Sequence, residues 1–296
     1  MSTKKKFTDE WKKELSKEAY DFTQNLTMVK LVSTIDSKGW PHVTFISNNK
    51  AKSLSQIVWG EFMHGKSKRY IQDNPKHGYF YMSGEKPLKM LQIKANFSHI
   101  LKAGEDLDEF NNSPMMRYNN TMNVWRAFYG NIVSVSPVQK ITIGKIIKGI
   151  IFNIWVKGAA KSGMTEERLD HFGKEIFTGA MNPKFLAFID PDDGYPIVLP
   201  CFQANATDYT RLVFPRTMFK EQLECIPENS KVAVYGLNSE LIAQMVKGTF
   251  LGYKKYRGVA LGLINIEEVY NCDPPLPGVI YPEIEVLPEI TDFEMP

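Results

Sequence analysis

Short apolar runs separated by turn residues dominate the chain, and helical periods are few. In Leu31-Val-Ser-Thr-Ile-Asp36-Ser-Lys-Gly39-Trp40-Pro41, a β-branched run stops at an Asp. A Gly follows where positive φ is expected, and an aromatic-Pro pair opens the next run, so the segment spells strand, tight turn, strand. The pattern recurs at Phe185-Leu-Ala-Phe-Ile-Asp190-Pro-Asp-Asp-Gly194-Tyr195-Pro196, with one residue inserted before the glycine. From Pro41 and Pro196 the copies run without a gap at a spacing of 155 residues, pairing Val43 with Val198, Ala51 with Ala206, Val58 with Val213, Met63 with Met218, Ile71 with Ile226, Asn74 with Asn229 and Lys76 with Lys231. A repeat far longer than a solenoid unit indicates two copies of one domain. Each copy is predicted to hold two strands, a third (55–59; 210–214), a short helix (66–73; 218–226), a fourth strand (78–82; 231–235) and further strands.

Helical signals fall at the joins. Thr8 is expected to cap a first helix, with Asp9 and Glu10 in its opening turn and Trp11, Leu15, Ala19, Phe22 and Leu26 on one face. A second helix is expected from Thr165, turning Leu169, Phe172 and Ile176 inward. The stretch Asn131 to Gly158 is rich in β-branched residues and its second half reads equally as strand or helix, while Pro274, Pro275 and Pro277 end regular structure in the tail. Strands joined directly to strands predict a mainly β protein with attached helices, most economically two small barrels. The expected division is an N-terminal helix (1–27), a first barrel (28–137), a basic connector with a helix (138–182) and a second, degenerate barrel with a Pro-rich tail (183–296).

Composition narrows the class. The 296 residues are 43% hydrophobic and 23% charged, an ordinary globular balance that excludes disordered and fibrous proteins. The longest strongly apolar stretch, Ile146 to Val156, is too short for a membrane span and contains Lys148. The basic start Met1 to Lys6 runs into Thr8-Asp9-Glu10 with no apolar core, so no secretory signal is read and a cytoplasmic location is expected. Cys201, Cys225 and Cys272 are odd in number and widely spaced, unlike a disulfide or zinc framework.

A net charge of +3 conceals an imbalance: residues 1–160 carry 24 Lys+Arg against 13 Asp+Glu, and residues 161–296 carry 12 against 20. From Phe110 to Thr165 there is no acidic residue, while Arg117, Arg126, Lys140, Lys145, Lys148, Lys157 and Lys161 lie there. Such a stretch suits phosphate, nucleic acid or an anionic surface, or it contacts the acidic half or simply faces solvent. Nucleic acid is not the partner expected of the chain as a whole.

Gly60-Glu61-Phe62-Met63-His64-Gly65-Lys66-Ser67 matches the phosphate-loop pattern letter for letter, between a strand and a helix. A nucleoside-triphosphatase needs a parallel βαβ sheet, however, and these strands join directly to one another. Asp190, which could pose as the magnesium-side carboxylate, is the repeat partner of Asp36. What remains is a helix start with Lys66, Ser67, Lys68 and Arg69, suited to a phosphate.

The order Thr34-Ile-Asp-x-x-Gly-x-Pro-His42-Val43, Val58-Trp59-Gly60, Lys66-Ser67, Ile71-x-x-Asn74-Pro75 and Leu91-Gln92-Ile93-Lys94-Ala95 resembles the flavin-nucleotide-binding split β-barrel proteins related to pyridoxamine 5′-phosphate oxidase. The resemblance spans roughly Met28 to Pro137, and more faintly Lys184 to Pro277. It implies two tandem split β-barrels of the FMN-binding type, with FMN across a barrel and usually between two barrels. By the same resemblance, Lys66 and Ser67 hold the phosphate. The ring edge meets Thr44, Phe45, Ile46, Ser47 and Asn48, and Trp59, Gly60 and Gln92 complete the cofactor set. The Arg- and Trp-bearing C-terminal segment that pyridoxamine phosphate oxidase uses for its substrate has no counterpart in Tyr270 to Gly278.

No i,i+4 histidine pair occurs among His42, His64, His77, His99 and His171, so no metal site is expected, and no catalytic residue is named. His42 and His64 lie near the expected cofactor, where they could shuttle protons. The expected function is an FMN flavoprotein acting as an oxidoreductase, with a nicotinamide electron donor among the candidates. The alternatives are a non-catalytic module for flavin, haem or another anionic ligand, and the triphosphatase. The two copies are expected to pack as an internal pseudo-dimer favoured by their opposite charges, with whole chains forming a homodimer by family habit.

Overall fold

The computed structural model describes residues 6–61, 65–113, 123–240, 242–273 and 277–284. Met63 and His64 at the phosphate-loop pattern, Arg117, and Pro274 and Pro275 of the tail fall outside these residues. The first half runs α1 (Lys17–Thr23), β1 (Met28–Ile35), β2 (Pro41–Phe45), β3 (Asn49–Ser53), β4 (Gln56–Glu61), α2 (Ser67–Asp73), β5 (Lys76–Ser83), β6 (Lys89–Leu101), α3 (Glu105–Asn111), β7 (Arg126–Val135) and β8 (Gln139–Lys140). Helices α4 (Ile143–Val156) and α5 (His171–Thr178) form the join. The second half runs β9 (Lys184–Ile189), β10 (Pro196–Pro200), β11 (Asn205–Asp208), β12 (Arg211–Pro215), α6 (Lys220–Glu224), β13 (Ser230–Leu237), β14 (Ala243–Tyr256), β15 (Val259–Asn271) and β16 (Gly278–Tyr281).

The two sheets have the same strand order, β2-β1-β5-β6-β7-β4-β3 and β10-β9-β13-β14-β15-β12-β11. Their pairings are antiparallel throughout. The chain is therefore mainly β, two tandem split barrels, and the parallel unit that a phosphate loop requires is not formed around β4. Two differences separate the copies. The β5–β6 hairpin joins at Met82 and Met90, whereas β13–β14 joins at Leu237 and Ala243, two residues shorter, so Lys94 is equivalent to Lys247 and Gln92 to Met245. The β6–β7 connection carries α3 over residues 102–125, where copy two has only Arg257-Gly258.

Strand alternation accounts for three cores rather than two. On β1 and β5, Val32, Tyr79 and Tyr81 point into the first barrel, while Leu31, Phe80 and Met82 point out of it. On β9 and β13, Leu186, Phe188, Val232 and Val234 fill the second barrel, while Phe185, Ala187, Ala233 and Tyr235 point out. The outward sets meet in a shared core, so the barrels form the internal pseudo-dimer.

Polar contacts across this interface come in equivalent pairs. Asp36 spends Oδ1 on the backbone N–H groups of Lys38 and Trp40, both at 2.9 Å, closing the turn in which Gly39 has φ +77°. Its Oδ2 accepts from Lys247 of the second barrel at 2.8 Å. Asp190 does the same with its own turn, where Gly194 has φ +76°, and accepts from Lys94 of the first barrel at 2.5 Å. Lys76 and Lys231, also equivalent, reach across to the carbonyls of Asp193 and Lys38 and lie over the rings of Tyr195 and Trp40 at 5.1 and 5.3 Å. Each barrel thus supplies both signs to the interface.

Three sequence expectations are corrected. The first helix begins at Lys17, capped by Ser16, whose hydroxyl accepts from Ala19 N–H at 3.2 Å; Thr8 lies in a turn instead. Lys12 bridges to Val135, and Leu26 is 69% exposed. The second helix begins at His171 with Asp170, not Thr165, as its cap, and Phe172 points outward. Strands β3 and β11 were not anticipated. The undecided second half of Asn131–Gly158 is α4.

Candidate functional site

β2 is an edge strand, so one row of its backbone groups is unshared within the sheet and turns toward the second barrel. At Val43 the N–H meets only Met245 Sδ, a weak acceptor, at 3.2 Å. Next to it, His42 is buried between the rings of Tyr70 on α2 and Tyr270 on β15, with centroids at 5.2 and 5.0 Å. Its Nδ1 is buried without a partner. Burial, reinforced by the charges of Lys247 and Lys66, pushes its pKa well below the ordinary value and so favours the neutral ring.

Thr44, two residues along the same face, lies with its hydroxyl 2.5 Å from that of Ser67 at the start of α2. One hydroxyl proton serves this contact and the other is left for a further acceptor. Lys66 precedes Ser67 as the α2 cap residue, makes no side-chain cap bond, and holds its ammonium 5.0 Å from the Tyr270 ring centroid. Burial and the charge of Lys247 lower its pKa, with Glu268 and Asp36 acting in the opposite sense. Among the described residues Lys66 has no carboxylate in ion-pair contact. Lys68 and Arg69, by contrast, are engaged by Glu61 and Asp73, at 3.4 and 3.9 Å.

Asn48, in the connection between β2 and β3, lies against β4. Both of its side-chain polar atoms are buried without a partner. It packs on Gly60, where an added Cβ would lie 2.5 Å from Asn48 Nδ2 and 2.6 Å from Val124, so glycine is what admits the amide.

The expected cofactor residues therefore divide. Thr44, Lys66 and Ser67 gather at the start of α2, Asn48 and Gly60 pack on each other, and Phe45 and Ser47 lie between Thr44 and Asn48 in the chain, Phe45 41% exposed. Trp59 and Ile46 are instead core residues of the first barrel, Trp59 stacked on Phe128 with centroids 4.5 Å apart. Gln92 is buried in the interface, where its Nε2 donates to Val198 O at 2.6 Å. Sequence reasoning missed Tyr70, Tyr270 and Lys247. Tyr70 carried a signal, since it sits one turn beyond Lys66 and Ser67 on the same helix; the other two come from the second barrel.

The equivalent corner of the second barrel is chemically different. Ile197 and Leu199 replace His42 and Thr44 and are buried in that barrel's core. Glu221 and Gln222 replace Lys66 and Ser67, and Gln222 is buried, its Nε2 3.4 Å from Gln92 Oε1. Helix α4 covers the position equivalent to Asn48, with Asn153 Nδ2 donating to Gln203 O at 2.5 Å and to Val213 O at 2.9 Å.

No protein-family model matches the sequence, and no curated protein matches it. Among solved structures, one barrel is similar to an FMN-binding protein from Syntrophomonas wolfei subsp. wolfei, with 17% identity, 42% of this chain and 86% of that chain covered, and a TM-score of 0.36. It is also similar to a putative pyridoxamine 5′-phosphate oxidase from Lactobacillus delbrueckii, with 14% identity, 43% and 96% covered, and a TM-score of 0.33. No described helix is long and apolar enough to cross a membrane.

Proposed function

We propose that the chain binds a flavin nucleotide, FMN, at the α2 corner between the barrels, and that it acts as an FMN-dependent oxidoreductase. One observation carries this reading. At the α2 corner the protein leaves His42 Nδ1 without a partner beside an ammonium, Lys66, that has no carboxylate in ion-pair contact among the described residues; farther along the same chain segment both polar atoms of Asn48 are also unpartnered. Buried polar groups are normally paired, so an orphan beside a cation fits a ligand that brings acceptors and negative charge.

Lys66 and the Thr44–Ser67 hydroxyl pair would hold the phosphate. His42 and Asn48 would meet polar edges of the ring system, and Tyr270 would close the site from the second barrel. When bound, the flavin supplies the redox chemistry, and the protein contributes orientation and exclusion of water. The second corner, with Glu221 in place of Lys66, repels a phosphate and serves as packing.

The test is titration of FMN into the apoprotein by fluorescence quenching, with Lys66→Glu and Lys220→Glu as a matched pair. Lys66→Glu removes a charge-assisted hydrogen bond of about 1.5–3 kcal/mol and adds repulsion, so affinity falls by at least about tenfold, while Lys220→Glu changes it little. A wild-type chain that does not bind FMN, or a larger loss in the Lys220 variant, refutes the assignment. Bleaching of the bound flavin by NADH or NADPH establishes the redox role; reduction by dithionite alone would mark a non-catalytic flavin module.

A further inference from the structure

Helix α4 carries large apolar side chains on its exposed face as well as on its buried one. Its inner face, Ile146, Gly149, Asn153 and Val156, is buried. It is pinned there by the two Asn153 hydrogen bonds and by Gly149, where a Cβ would lie 2.4 Å from Thr217 Oγ1. The helix cannot roll, so its outer face is fixed outward. That face presents Ile147, Ile151, Ile154 and Trp155, each between 52% and 59% exposed. Contiguous large side chains at i, i+4, i+7 and i+8 form a stripe, unlike scattered exposed residues.

Cations frame the stripe. Lys145 and Lys148 are exposed on the helix itself. At its C-terminal end the β14–β15 hairpin tip adds Lys254, Lys255 and Arg257, with Arg257 Nη1 3.4 Å from the carbonyl of Trp155. Two acid-free stretches, 111–165 and 241–266, meet here. With 14 residues the helix is about 21 Å long, too short to cross a bilayer but suited to lie in its surface.

We propose that α4 and the β14–β15 hairpin tip form a docking surface for an anionic lipid membrane. The apolar stripe enters the boundary between headgroups and acyl chains, and the five cations meet the lipid phosphates and carboxylates. A second copy of this chain is a poorer occupant, because a two-fold contact centred on α4 sets Lys145, Lys148 and Arg257 against one another with no acid in either stretch to offset them.

The experiment is co-sedimentation of the full chain with vesicles of phosphatidylcholine alone and of phosphatidylcholine with phosphatidylserine. The wild type partitions onto the anionic vesicles and much less onto the neutral ones. Ile151→Ser/Trp155→Ser and Lys145→Glu/Lys148→Glu each lower that partition by at least about tenfold, with melting temperatures near wild type because only outward side chains change. The proposal is overturned if the wild type stays in the supernatant or binds both vesicles equally. It is also overturned if either double variant binds like wild type, or if lipid-free wild type is a dimer that Ile151→Ser/Trp155→Ser converts to monomer.

Discussion

The α2 corner of the first barrel and the α6 corner of the second have the same strands around them in the same order, yet they have opposite chemistry. At the first, His42, Thr44 and Lys66 are polar or cationic, with His42 Nδ1 unpartnered; at the second, Ile197 and Leu199 are core and Glu221 is acidic, and α4 lies over Gln203, the equivalent of Asn48. Two identical subunits would repeat every substitution at both corners. Joining the copies in one chain frees each corner to change alone, and here the fold-bearing contacts are symmetric while the residues of the two corners differ. The aspartate turns show the conserved half of that contrast, since Asp36 and Asp190 both close their own turn with one oxygen and grip the opposite barrel with the other.

That symmetry is exposed to test, and its largest expected effect comes from the aspartates. Asp190→Asn leaves Lys94, 1% exposed, with Asp193 alone, itself 43% exposed; Asp36→Asn leaves Lys247 with the better-buried Glu268. Removing one partner of a buried pair costs about 3–5 kcal/mol, with Asp190→Asn the more destabilising in urea unfolding. Equal, small losses would show that the interface is held by its apolar core alone. Next is Gly78, opposite Lys94 as Ala233 is opposite Lys247. A Cβ at Gly78 would lie 2.3 Å from the carbonyl oxygen of Pro196 in the other barrel, so Gly78→Ala should cost about 1–3 kcal/mol. Ala233→Gly, the reciprocal change, should cost only about 0.5–1 kcal/mol, which the same unfolding curves would distinguish.

The smallest effect compares two buried lysines that occupy equivalent places on β1 and β9. Lys30 donates to the carbonyls of Thr23 and Asn49, and Lys184 to those of Gly179 and Asn182. Burial lowers each to about 8. The folded state therefore releases these protons at lower pH than the unfolded state, whose lysines titrate near 10.5, and between the two values the unfolded chain binds more protons. Stability contributed by each lysine accordingly rises with pH across that window, by about 1 kcal/mol from pH 8 to 9. Lys30→Met and Lys184→Met should each remove their share of the slope in urea midpoints measured at those two pH values. A wild-type slope that both variants retain would place these lysines in wetter surroundings.

What could be read beforehand was what local chemistry decides. The strand-turn-strand at Asp36 and Asp190 was legible because an Asx turn, a positive-φ glycine and an aromatic-Pro pair are short-range signals, and their recurrence disclosed the two-barrel plan. β3 and β11 were not legible, since Asn49-Lys-Ala-Lys-Ser53 and Asn205-Ala-Thr-Asp208 are polar edge strands whose alternation is hidden. The N-terminal periodicity misled because one segment serves two cores, Trp11 packing against the second barrel and Leu15 against the first. The helix start at Lys66 and Ser67 was legible from the preceding glycine, and the structure sets the hydroxyl of Ser67 against that of Thr44, a residue only the resemblance had singled out. The hydrogen bond from Gln92 to the carbonyl of Val198 could not be read from the sequence, since 106 residues separate the two. Tyr270 could not be found at all, since only the docking of the second barrel brings it to His42.

The tether between the barrels has a further consequence. Residues 141–183 keep the halves within reach at all times, an effective local concentration on the order of millimolar for short linkers. A site shared by two separate subunits falls apart on dilution and exchanges its halves with other dimers. The corner formed by His42, Lys66 and Tyr270 belongs to a single molecule, so its geometry is independent of how much protein is present, down to single copies.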